Sequence, residues 1–100
     1  YTGEGANPEY RPEQPKLYAP SPNPFVDRTQ IKFYLPVEDS ATVKIYDLKG
    51  QEVGAFEQQV YPAGIHTLDW EPNAIRLPKG VYLIHVVTSD LVLIQKALKF

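Results

Sequence analysis

The sequence predicts an all-β fold, a sandwich of antiparallel sheets, and three observations carry that prediction. Short apolar segments recur from Leu17 onward, separated by Gly, Pro, Asn and Asp at close spacing. Within them apolar and polar residues alternate with a period of two, the repeat of a half-buried strand and not of a helix. The segments number seven, which suits a two-sheet sandwich of this length.

Residues 1–16 carry Gly3, Gly5, Pro8, Pro12 and Pro15 among polar side chains and show no hydrophobic period. They read as an extended, solvated linker ahead of a domain spanning 17–100. Residues 17–19 form an edge strand. Ile31, Phe33 and Leu35 then alternate with Lys32 and Tyr34 until Pro36 ends the strand, and Val43 and Ile45 repeat the pattern beside Lys44 and Tyr46. In Asp47-Leu48-Lys49-Gly50, Asp can bond its own backbone and Gly can take positive φ, so residues 52–60 should return antiparallel. A second reversal at Tyr61-Pro62-Ala63-Gly64 leads into residues 65–70, where His66, Leu68 and Trp70 share a face. Trp70 is the candidate for the centre of the core.

Residues 71–79 hold Pro72, Asn73 and Pro78 and read as a loop. Gly80 opens a hairpin of residues 81–88 and 91–99 around Ser89-Asp90. Both strands are rich in Val, Ile and Leu on both faces; the preferred reading is cover on both sides, the other a surface that a second protein covers. Tyr82 stands where such sandwiches place a tyrosine whose hydroxyl bonds back to a nearby loop.

One hundred residues bury one core, not two. A net charge of -2 with scattered Lys and Arg offers no stripe for phosphates, so nucleic acid is not an expected partner. No apolar run approaches the roughly 20 residues that cross a bilayer, so no transmembrane segment is expected. With no Cys there is no disulfide framework and no thiolate metal site. The chain begins at Tyr1 and lacks Met, and reads as a piece of something longer.

There is no Gly-x-Ser-x-Gly elbow and no paired-acid spacing, so no enzyme, catalytic residue or cofactor is expected. His66 and His85 stand on different strands without Cys or clustered carboxylates, and no metal site is expected. Asp27, Asp39, Asp47 and Asp90 could offer calcium oxygen ligands, but Asp is also the ordinary turn residue. Tyr34, Tyr46 and Tyr61 read as an exposed platform for stacking sugars, Tyr34 and Tyr46 being out of phase with the core residues beside them. A second functional reading is therefore a carbohydrate-binding accessory module of a secreted polysaccharide-degrading enzyme; a third is a passive spacer of fibronectin type.

Several segments together resemble one family. They are Ser21-Pro22-Asn23-Pro24-Phe25, Thr29-Gln30-Ile31-Lys32-Phe33, and Val43-Lys44-Ile45-Tyr46-Asp47-Leu48-Lys49-Gly50 with Val53. Gly64-Ile65-His66, Trp70, Leu77-Pro78-Lys79-Gly80, Val81-Tyr82-Leu83 and Lys96 continue the series. In order and spacing they resemble the C-terminal sorting domains of the type IX secretion system, with Ser21 and Ile65 departing from the usual aromatic and acidic residues. The resemblance implies a seven-stranded immunoglobulin-like sandwich behind an N-terminal cargo domain. It implies passage through the periplasm to the cell surface or medium, recognition by an outer-membrane translocon, and removal by a surface sortase-like peptidase, for which the linker is the expected cleavage site. The terminal hairpin, with Gly80, Val81, Tyr82 and Lys96, is the implied recognition element. Pro22, Asn23 and Pro24 form a loop motif whose bland role is to fix a crossover between sheets.

Overall fold

The computed structural model describes residues 13–72 and 77–100, so the expected linker over residues 1–12 and part of the loop before Gly80 lie outside the described residues. The period-two pattern resolves into seven strands: β1 (Lys16–Leu17), β2 (Thr29–Leu35), β3 (Asp39–Tyr46), β4 (Glu52–Tyr61), β5 (Gly64–Trp70), β6 (Gly80–Thr88) and β7 (Val92–Lys99). The named strands pair antiparallel in two sheets, ordered β1-β2-β5 and β4-β3-β6-β7. This is the all-β, seven-stranded immunoglobulin-like sandwich expected. Pairing begins at Lys16, within the stretch read as linker.

Alternation places the core. β2 sends Ile31, Phe33 and Leu35 inward, β3 sends Val43 and Ile45, and β6 sends Ile84 and Val86, all fully buried between the sheets. Each such side chain contributes about 1.5–3 kcal/mol relative to exposure. Asp47 sets the β3–β4 hairpin, its Oδ1 accepting the N–H of Lys49 at 2.8 Å and of Gln51 at 2.9 Å, with Gly50 at φ +86. Thr88 sets the β6–β7 turn, its Oγ1 accepting the N–H of Leu91 at 3.0 Å.

The reversal at Tyr61-Pro62-Ala63-Gly64 is a crossover, since β4 and β5 belong to different sheets. Tyr61 is buried at its start, edge-on to Phe33 at 5.1 Å, and Gly64 turns the chain at φ +126. That ring contact spans the sheets, and β5 pairs with β2 instead of β4.

Trp70 closes the far end of the core. Its ring lies 5.3 Å from Phe25 and 6.1 Å from Tyr82, and it passes close to the β4 backbone at Gly54. A Cβ on Gly54 would stand 2.8 Å from Trp70 Nε1 and 3.1 Å from Ile45 Cδ1.

The expectation that the terminal hairpin is covered on both faces does not hold. The second sheet packs on the first through one face only, and Val92 and Ile94 are 57% and 55% exposed. Opposite residues of an antiparallel pair share a face, so Val87 with Val92, His85 with Ile94, and Leu83 with Lys96 form the outer surface.

Two predictions follow from this packing. Gly54→Ala, which in an open strand would help by roughly 0.5–1 kcal/mol, should here destabilise by about 1–3 kcal/mol, because the indole and Ile45 have no room to give. Urea unfolding measures it. Tyr61 Oη is buried without a hydrogen-bond partner, and burial raises its pKa above the ordinary value. Tyr61→Phe should therefore leave stability unchanged or raise it by up to about 1 kcal/mol. The unfolded chain releases the Tyr61 proton near pH ~10 and the folded chain only higher. Stability should fall as pH rises past that point, less steeply in Tyr61→Phe, as thermal melts across the alkaline range would show.

Candidate functional site

The sandwich has two poles; most of the family-like turn and loop residues collect at the distal one, while Gly64-Ile65-His66 stand at the other. Leu35 pairs with Gly64, Asp39 with Tyr61 and Val87 with Val92, which sets three turns together at the proximal pole. The chain arrives there: Glu13, Gln14 and Pro15 line a hollow with Pro36, Val37, Asp90 and Leu91. At the distal pole lie the β1–β2 loop, the Asp47–Gly50 turn, the approach to Gly80 and the end of β7.

The Pro22-Asn23-Pro24 loop grips β7. Asn23 Oδ1 accepts the Leu98 N–H at 2.8 Å, and Asn23 Nδ2 approaches the Lys96 carbonyl at 3.5 Å. Two residues on, Phe25 donates its N–H to the Leu98 carbonyl and accepts the Phe100 N–H, both at 2.9 Å. A carboxamide carries the donor and acceptor of a peptide unit, so Asn23 extends the strand pairing that Phe25 makes through its backbone. The peptide bonds into Pro22 and Pro24 are both cis, and Thr29 Oγ1 donates to the Pro22 carbonyl at 2.7 Å. Gln95 Nε2 adds a bond to the Leu17 carbonyl at 3.2 Å, joining β7 to β1.

The four residues implied for recognition share the hairpin but not a face. Tyr82 points into the core and donates its hydroxyl to the Pro78 carbonyl, the loop bond expected of it. Burial first, and the nearby Asp47 carboxylate second, raise its pKa, so at neutral pH the hydroxyl stays a donor. Gly80 opens β6 at φ +148, a conformation that favours glycine, opposite Lys99. Val81 and Lys96 lie on the outer face, opposite Leu98 and Leu83. Two motifs about thirty positions apart also meet: Asp47, Leu48 and Lys49 line one shallow groove with Leu77, Pro78 and Lys79.

The tyrosine platform needs correction. Tyr34 is only 6% exposed and Tyr61 is buried, so neither offers a ring to a sugar. Tyr34 lies in the first sheet and Tyr46 in the second, where Tyr46 is half-buried with its ring 4.7 Å from His85. Among the described residues no three acidic or histidine side chains gather as metal ligands. Asp47 serves its turn, and Asp39 accepts the Ser40 N–H and the Ser89 hydroxyl. Alternation gave no indication of Phe25 or Gln95 as tethers of β7, or of Thr29 as the partner of the Pro22 carbonyl; an aromatic directly after Pro24 was the available signal.

With this geometry in hand, comparison with known proteins is informative. The sequence pattern of the secretion system C-terminal sorting domain matches residues 19–99. No curated protein matches the chain. Among solved structures, dimeric latent PorU from Porphyromonas gingivalis is similar at 16% identity and a TM-score of 0.59, over 89% of this chain and 10% of that one. The chain thus spans about a tenth of that protein's length, and at this identity the likeness is one of fold.

Removing the Asn23 amide should loosen the end of β7 before anything else. Asn23→Ala is expected to lower stability by about 1–2 kcal/mol and to speed hydrogen exchange at the Leu98 amide. Asn23→Asp keeps the acceptor and should preserve most of that protection.

Proposed function

Because the chain belongs to the family of type IX secretion system C-terminal sorting domains, we propose that its distal pole and terminal hairpin are what the export machinery reads. Members of this family are sorting signals and not catalysts, and they direct the protein that carries them to the cell surface or the extracellular space. The observation that carries the finer reading is the separation of the poles. Glu13–Pro15 bring the chain in at the proximal pole, while Asn23, the Asp47–Gly50 turn, Tyr82 and the end of β7 lie at the other. A cargo domain ahead of Tyr1 would leave the distal pole uncovered.

In this proposal Gly80 and Tyr82 hold the start of the hairpin in one shape, and Val81 and Lys96 present its outer face to an outer-membrane translocon. The Pro22, Asn23 and Pro24 loop holds β7 in place. A surface sortase-like peptidase would cut between Tyr1 and Lys16, ahead of the first strand pairing at Lys16. The burial of Tyr34 and Tyr61 removes the support for sugar stacking.

Fusion of Tyr1–Phe100 behind a periplasmic reporter in a type IX-competent host is the direct test. The reporter should appear outside the cell, with terminal sequencing placing its new end within residues 1–16; retention of the reporter inside would sink the proposal. Lys96→Glu should reduce export while leaving the melting temperature within about 4 °C, since an exposed charge contributes within about ±0.5 kcal/mol to stability.

A further inference from the structure

β7 is a rim strand, with β6 on one side and, among the described residues, no strand on the other. Leu98 turns its N–H and C=O to Asn23 and Phe25, Phe100 its N–H to Phe25, and Lys96 its C=O to Asn23. The even-numbered residues of β7 therefore point their backbone groups away from β6, as alternate residues of an antiparallel ladder must. Val92 and Ile94 have the same parity. Their N–H and C=O groups, and the N–H of Lys96, face outward and bond to none of the described residues. Among the described residues the rim is closed at one end, in parallel sense at Phe25 and Lys99, and open over residues 92–96.

The side chains along the open stretch indicate what would complete it. Val92 and Ile94 are exposed, with Val87 beside them on the same face. Lys96 ends the run, exposed and in no ion pair with a described residue. The outer face of the other sheet is mostly polar, with Gln30 bonded to Asp69 beside Lys32 and Thr67 and Ile65 its one strongly exposed apolar side chain among the described residues. A lysine on a rim strand also guards against unwanted pairing, but two exposed β-branched apolar residues next to it do the opposite.

We propose that residues 92–96 accept an added strand from a partner protein. The incoming segment is extended, apolar where it covers Val92 and Ile94, and acidic beside Lys96. Continuity with the pairing that Asn23 and Phe25 already make on this rim argues for a strand, and the ammonium of Lys96 argues for its charge. Main-chain bonds would give such binding its affinity and the alternate side chains its selectivity. The inference rests on the sorting reading only for which protein brings the segment, the export machinery; the addition itself rests on the rim.

Ile94→Pro is the discriminating variant. The Ile94 N–H faces away from β6, so proline there leaves that ladder whole and removes a donor the added strand needs. The probe is a short synthetic peptide alternating valine and threonine with one glutamate, titrated against the isotope-labelled full chain. Saturable shifts are expected at the Val92, Ile94 and Lys96 amides, weakened at least about tenfold by Ile94→Pro. Val92→Lys combined with Ile94→Lys, both exposed and harmless to the core, should weaken binding as much, which keeps the test decisive if the proline variant does not fold. Absence of saturable shifts on this rim, or equal binding by the variants, overturns the inference, as does pairing of the chain with itself along this rim. In the reporter assay, wild type should be exported and folded Ile94→Pro retained. Export of both overturns the inference, whereas retention of both sinks the sorting reading and leaves the titration to decide the rim.

Discussion

Phe25 ties the last strand to the middle of the molecule. Its ring is buried against Trp70, and its backbone exchanges hydrogen bonds with Leu98 and Phe100. Burial of an aromatic side chain between two sheets is worth several times a single backbone bond. The core thereby fixes where residues 23–25 run, and residues 23–25 fix where β7 ends. Asn23 works only because Phe25 holds the loop at strand spacing from β7, and Trp70 can lie against Gly54 only because that position has no side chain.

The rest of the distal pole follows from this arrangement. Tyr82 has its ring in the core near Trp70 and its hydroxyl on Pro78, so the approach to Gly80 is anchored from within. Asp47 fixes the neighbouring turn by taking two backbone N–H groups. The pole is built from self-contained local bonds attached to one aromatic cluster, a construction that keeps its shape whatever is joined at the opposite end. For a module that must be recognised behind unrelated cargo, that independence is the useful property.

The two sheets differ on their outer faces. The first presents Gln30, Lys32, Thr67 and Asp69 with Ile65 at one end. The second presents Val87, Val92 and Ile94 beside a rim that is closed by Asn23 and Phe25 for only part of its length. Apolar surface next to unpaired backbone is the combination that soluble sheets ordinarily avoid; the rim strands β4 and β5 carry single exposed large apolar residues, Val60 and Ile65, whereas the terminal hairpin groups Val87, Val92 and Ile94.

The sequence by itself determined the strands, because the inward and outward alternation of Ile31-Lys32-Phe33 or Val43-Lys44-Ile45 is a local property that each strand carries alone. It also determined the turns at Asp47–Gly50 and Ser89-Asp90, where the side chains of Asp47 and Thr88 bond to backbone within a few residues. Only the tertiary structure decided that β4 and β5 part into different sheets, that Tyr34 and Tyr61 are buried, that the outer face of the hairpin is left open, and that Asn23 reaches Leu98. Those outcomes depend on which surfaces meet across long separations in the chain, Asn23 and Leu98 being 75 residues apart, and alternation says which way a side chain points without saying what lies opposite it.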